Sequence, residues 1–198
     1  MFIMKKMLIL LLAATLSMPA LARPLLVAAA SDLGYCIDEL VAAYRKTAPG
    51  VEPKVSLGAS GNFFAQIRNG APFEVFLSAD MDYPRQLIKL GAAESASPLP
   101  YAIGRIALWS LDPQIDPERG LAALVADERV KRIAIANPVT APYGRAAKAA
   151  LERDGLWDKV QPKLVVGENI AQTAQFVQTG NAQVGIISFA TLHATKLK

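Results

Sequence analysis

Apolar positions along this chain follow two periods in turn. Leu25–Ala30 is a short, almost unbroken apolar run, and after it Leu33, Ile37, Leu40, Val41 and Tyr44 recur at the spacing of one helix face. The run predicts a strand over 25–30 and the spacing predicts a helix over 32–47. The alternation continues with a strand near 53–57, a helix near 62–69, a buried strand at 74–78 and a helix near 83–90. An order of β-α-β-α-β favours a mostly parallel sheet with right-handed crossovers. The Pro- and Ala-rich passage ESASPLPYAIG, residues 94–104, reads as a connection, after which YAIGRIALWS resumes as a long strand. Beyond it, helices near 117–126, 142–153 and 169–179 alternate with strands at 132–136, 163–166 and 184–188. The pattern predicts an α/β protein in two units, residues 23–98 and 99–198, with no internal repeat.

The first residues follow neither period. Lys5-Lys6 precede an apolar run from Met7 to about Met18, and Ala20-Leu21-Ala22 offers small residues for cleavage. The run is shorter than the roughly 20 residues a spanning helix needs, so residues 1–22 are expected to be a cleavable export signal. Its removal leaves 19 basic against 17 acidic residues, since Lys5 and Lys6 are its only charges. That bias is too weak to argue for nucleic acid or a membrane surface. The 53% hydrophobic content fits a packed α/β globule. A single cysteine, Cys36, forms no internal disulfide and is expected to be a small buried group on its helix.

Candidate chemistry lies at the joints. Small or polar residues connect strand to helix at Ala30-Ser31-Asp32, Gly58-Ala59-Ser60-Gly61, Ala141-Pro142-Tyr143-Gly144 and Glu168-Asn169-Ile170. A helix N-terminus offers N–H groups without intrahelical partners and the positive end of the dipole, which suits an anion. Each joint alone is an ordinary N-cap, but four in two successive α/β units point to an oxyanion cradle. Hydrolase chemistry finds little support. His193 is the sole histidine and reads as an ordinary surface residue, Ser60 sits in GASGN rather than a G-x-S-x-G elbow, and there is no Walker-type loop. The expectation is a binding protein, not an enzyme.

The segments AAASDLGY, LGASGNFFAQIRNGAPFEVFLSAD, YAIGRIALWS and ANPVTAPYG, in this order, resemble the periplasmic molybdate-binding proteins of ABC importers over nearly the whole exported chain. GAPFEVFLSAD belongs to that family's scaffold rather than to its ligand contacts. The resemblance implies a two-lobed type II periplasmic binding fold with the ligand in the interlobe cleft. It implies capture of molybdate or tungstate by neutral hydrogen bonds at helix N-termini, delivery to a membrane permease, a periplasmic location, no cofactor, no nucleic acid and a monomer. Molybdenum would enter only as the oxyanion, with no residue ligating a free cation. Carried over by motif, Ser31 and Ser60 give a hydroxyl and a backbone N–H, Asp32 a backbone N–H, and Tyr143 and Ile170 chiefly backbone N–H groups; Ser188 is a weaker candidate. The alternatives are another tetrahedral oxyanion, phosphate or sulfate, or an exported receptor without transport. Two departures stand out. Asp32 occupies a position that is neutral in the family, and its carboxylate is expected to cap its own helix at the N–H of Tyr35. The chain also stops at Lys198 where the fold ordinarily returns to the first lobe, so it is read as C-terminally incomplete.

Overall fold

A computed structural model describes residues 23–94 and 98–194. The predicted export signal therefore lies outside the described residues. The first unit holds strand β1 (Arg23–Ala30), a 3-10 turn (Ser31–Tyr35), helix α1 (Ile37–Thr47), β2 (Val51–Gly58), α2 (Ser60–Arg68), β3 (Val75–Leu77) and α3 (Asp82–Lys89). Its three strands run parallel in the order β2-β1-β3. β1 is the middle strand, covered on both faces, which is why its pattern is a continuous apolar run rather than an alternation. Its last four residues, Val27–Ala30, are buried.

The second unit comprises β4 (Ile106–Trp109), a 3-10 turn (Pro117–Arg119), α4 (Leu121–Ala126), β5 (Ile133–Ala136), α5 (Pro142–Arg153), α6 (Trp157–Val160), β6 (Leu164–Gly167), α7 (Ile170–Gln178), β7 (Val184–Ser188) and α8 (Phe189–Leu192). Its sheet has the order β4-β7-β5-β6, parallel except for β4, which pairs antiparallel with β7. A core of Leu124, Val130, Ile133, Ile135, Leu151 and Val160 fills one face of this sheet.

Three expectations are corrected. The helix over 32–47 breaks in two: Cys36 N–H bonds Leu33 O at 2.9 Å, closing a 3-10 turn, and α1 begins only at Ile37. Gly34 stands in that turn, where its weak helix propensity lowers the cost of the break. The break turns Cys36 outward, so it is exposed rather than buried. The long strand expected in YAIGRIALWS shrinks to Ile106–Trp109, because only these residues meet β7 in register, from Ile106 opposite Ser188 to Trp109 opposite Gly185.

Register places the joints. Ala30 pairs with Gly58 and Ala136 with Gly167, so neighbouring strands in each unit end level at their C-terminal edges. Ligands of open α/β sheets bind beyond such edges.

Candidate functional site

Two strand ends of the first unit face two of the second. Ala59 packs with Ala136, Ala141, Tyr143, Ile170 and Ala174 in one apolar cluster that crosses between the units. The small side chains at 59 and 141 let the backbones of facing helix starts approach. Gly61 shows how close they come: a Cβ there would stand 2.5 Å from the Tyr83 hydroxyl and 2.6 Å from the Thr140 carbonyl oxygen. Its N–H instead donates to Thr140 O at 2.8 Å, joining one unit to the other.

Ser31, Asp32, Ser60, Tyr143 and Ile170 all line one small cavity of about 10 Å³ between the units. Five of the six residues singled out from the sequence are thus brought together. Ser188 is not among its lining; it borders a larger neighbouring cavity of about 490 Å³ that Asp32 and Tyr143 also reach. Leu33, Pro100, Ile103 and Phe189 make much of that larger wall apolar. The helix starts converge on the smaller cavity, which makes it the better candidate for an anion; with the units bridged this closely it has room for about one water molecule, so admitting an oxyanion requires them to part first.

Each donor has a local origin. Ser60 opens α2 and is 1% exposed; its Oγ accepts the Ala79 N–H at 3.0 Å, which leaves the hydroxyl hydrogen free to donate elsewhere. Ser31, 5% exposed, accepts the Ala171 N–H from the other unit at 3.4 Å. Tyr143 is in the first turn of α5, where Pro142 needs no N–H partner. At α7, Asn169 Oδ1 accepts from the N–H groups of Ala171 and Gln172, both at 3.1 Å. The N–H of Ile170, first residue of α7, is not among the groups this cap satisfies.

Asp32 corrects a further expectation. Its turn has no side-chain cap, and the carboxylate reaches across the cleft instead, where Oδ2 accepts the Tyr143 hydroxyl at 2.9 Å. Burial pushes the Asp32 carboxyl above its usual range, partly opposed by that hydrogen bond. Tyr143 is also held above its ordinary value, first by burial and then by the nearby Asp32 charge. Gly104 leaves room for the tyrosine, since a Cβ there would lie 2.8 Å from its hydroxyl.

Beside the cavity lies a clamp that the sequence did not reveal. Arg145 of α5 pairs with Asp80 and donates to the Tyr83 hydroxyl at 2.8 Å, its guanidinium 4.9 Å from the Tyr83 ring centroid. Asn62 donates to Glu168 at 3.2 Å on the same interface. No local spacing links residues 65 positions apart, so no sequence signal could have found the pair. Among the described residues, no cluster of three or more His, Cys, Asp or Glu is arranged to hold a metal ion.

Two α/β units meeting over convergent helix starts define a solute-binding protein of the type II periplasmic fold. The chain belongs to the bacterial extracellular solute-binding protein family, whose model matches residues 25–197. It is 38% identical over 175 residues to the molybdate-binding protein ModA of Rhodobacter capsulatus, covering 88% of this chain and 68% of that one. The ModA of Azotobacter vinelandii is also 38% identical, over 192 residues, 97% of this chain and 75% of the relative. The solved periplasmic molybdate-binding protein of Azotobacter vinelandii superposes with a TM-score of 0.77 at 35% identity, over 83% of this chain and 71% of that structure. The sulfate-binding protein SubI of Mycobacterium tuberculosis, 14% identical with a TM-score of 0.68 over 88% of this chain and 69% of its own, shares the fold. These relatives are binding proteins, not enzymes.

Proposed function

We propose that this protein captures molybdate, and tungstate with it, outside the cytoplasm and presents it to the membrane permease of an ABC importer. The observation that carries the reading is the convergence of four strand-to-helix joints on one small cavity between the units, three of them furnished with Ser31, Ser60 and Tyr143. Hydroxyl hydrogens and first-turn N–H groups give a tetrahedral oxyanion many neutral donors without a neutralising cation. Residues 23–98 form one lobe and 99–198 the other, and binding draws the two together over the ligand. Ser31 and Ser60 donate through hydroxyl and backbone, Asp32, Tyr143 and Ile170 through backbone N–H. The identity to molybdate-binding relatives over most of the chain selects molybdate from among tetrahedral anions of similar shape.

Thermal melting tests the reading. A ligand present at one hundred times its dissociation constant adds about 2.7 kcal/mol to folding stability. Molybdate and tungstate are therefore expected to raise the melting temperature by several degrees at concentrations where sulfate and phosphate do little. Equal stabilisation by all four would remove the molybdate assignment and leave a general oxyanion binder.

A further inference from the structure

The carboxylate of Asp32 is an unusual neighbour for a dianion. Its Oδ2 is engaged by Tyr143, but Oδ1 is buried and has no hydrogen-bond partner among the described residues. A buried acceptor left unpaired costs free energy, and a buried negative charge facing a second one costs more. Asp32 nonetheless lines the same cavity as Ser31, Ser60 and Ile170.

We propose that Asp32 shares one proton with the bound oxyanion, so that a tetrahedral dianion carrying no proton of its own binds with uptake of one proton from solvent onto the Asp32 carboxyl. The inference rests on the reading of the cavity as an oxyanion site. The proton converts Oδ1 from an unpaired acceptor into an O–H donor to an anion oxygen, while Oδ2 goes on accepting from Tyr143. The charge gathered in the cavity falls from three negative units to two. Without the proton, molybdate, which is fully ionised at neutral pH, would confront a bare carboxylate in a site of low polarity.

The surroundings leave Asp32 as the group that can take this proton. From α5 it faces Tyr143, and Tyr101 in the connection and Cys36 in its own turn lie near enough to feel its charge. Burial pushes Tyr101 up to about 12 and Tyr143 higher, so both keep their protons throughout the neutral range. Burial also raises Cys36, with help from Asp32 and Glu39, so it too stays neutral there. Helices α7 and α8, which pack on the turn, contain no ionisable side chain, and those of α1, which also packs on it, Asp38, Glu39, Tyr44, Arg45 and Lys46, are exposed to solvent. The ionisable residues of β2, Glu52 and Lys54, pair with Pro24 and Leu26 at the far end of the sheet. Arg105 borders the larger cavity but not the small one, and Arg145 is engaged with Asp80.

Titration calorimetry of sodium molybdate into the full chain, in two buffers of different ionisation enthalpy at each pH from 5.5 to 8.5, counts the protons. The expected result is uptake that rises with pH towards one proton per molybdate, because the ligand-free carboxyl loses its proton as pH rises while the bound one keeps it. Affinity should fall by up to tenfold per pH unit as it does so. In Asp32→Asn the uptake should vanish, the affinity should become flat with pH, and binding at pH 8.5 should be tenfold or more tighter than in the parent. Tyr143→Phe removes the donor to Oδ2 but keeps the carboxyl, so it should retain the coupling and shift the fall in affinity to higher pH. Molybdate binding without proton uptake over the whole range, or uptake that persists in Asp32→Asn, overturns the inference while leaving the oxyanion site intact. Failure of both proteins to bind molybdate overturns the oxyanion reading itself.

Discussion

Ser60 and Gly61 occupy consecutive positions with opposite requirements. The Ser60 hydroxyl oxygen accepts the Ala79 N–H, which leaves its hydrogen available as the donor proposed for the oxyanion. Ser60→Ala removes one donor to a buried anion and keeps the backbone N–H, an expected loss of about 1.5–3 kcal/mol, or roughly 10- to 150-fold in affinity by calorimetry. Gly61 must have no side chain, because the Thr140 carbonyl and the Tyr83 hydroxyl occupy the space. Gly61→Ala should hold the two units apart and weaken ligand binding at least about tenfold, since a displaced donor loses most of its hydrogen bond. A Gly61→Ala protein that binds as well as the parent would show that the contact is dispensable. Asp32 contributes at this scale through stability as well. Its carboxyl is raised in the folded state, so the folded protein binds its proton more strongly than the unfolded chain does, and stability is lost as pH rises. The ligand-free Asp32→Asn protein should therefore melt above the parent at pH 8, with the difference shrinking as pH approaches 4.

At the scale of elements, the joints were legible and their partners were not. Leu25–Ala30 announces a central strand because burial on both faces removes the alternation, and the small residues after it announce a helix start. Helices over 142–153 and strands over 184–188 follow from runs that one period explains throughout. The break at Cys36 was not legible, since Leu33, Ile37 and Val41 keep helical spacing straight through a 3-10 turn. Asp32 was misplaced for a related reason: Asp caps helices well, and only tertiary structure brings the Tyr143 hydroxyl, 111 positions away, to its carboxylate. The clamp between α3 and α5 lies wholly beyond local pattern. Arg145→Gln should loosen it by removing the pair with Asp80 and the stacking over Tyr83. Because both partners are partly solvated, the expected cost is about two- to tenfold in ligand affinity, seen mainly as faster release in stopped-flow measurements. An unchanged release rate would assign the clamp to packing alone.

Among the described residues the two units meet through strand ends and helix starts. Tyr143 to Asp32, Gly61 to Thr140, Ala171 to Ser31, Asn62 to Glu168, Tyr101 to Ser78, Tyr83 to Val139 and the Arg145 clamp span the interface beside the apolar cluster around Ala59. A ligand that bridges the same helix starts adds to this short tally directly, which is how a binding event in the cavity can govern the relation of one lobe to the other. Titration calorimetry of residues 23–198 with molybdate, tungstate and sulfate in turn decides whether the cavity is a molybdate site. Molybdate and tungstate are expected to bind with one-to-one stoichiometry and sulfate far more weakly; sulfate binding as tight as molybdate, or tighter, would contradict the assignment.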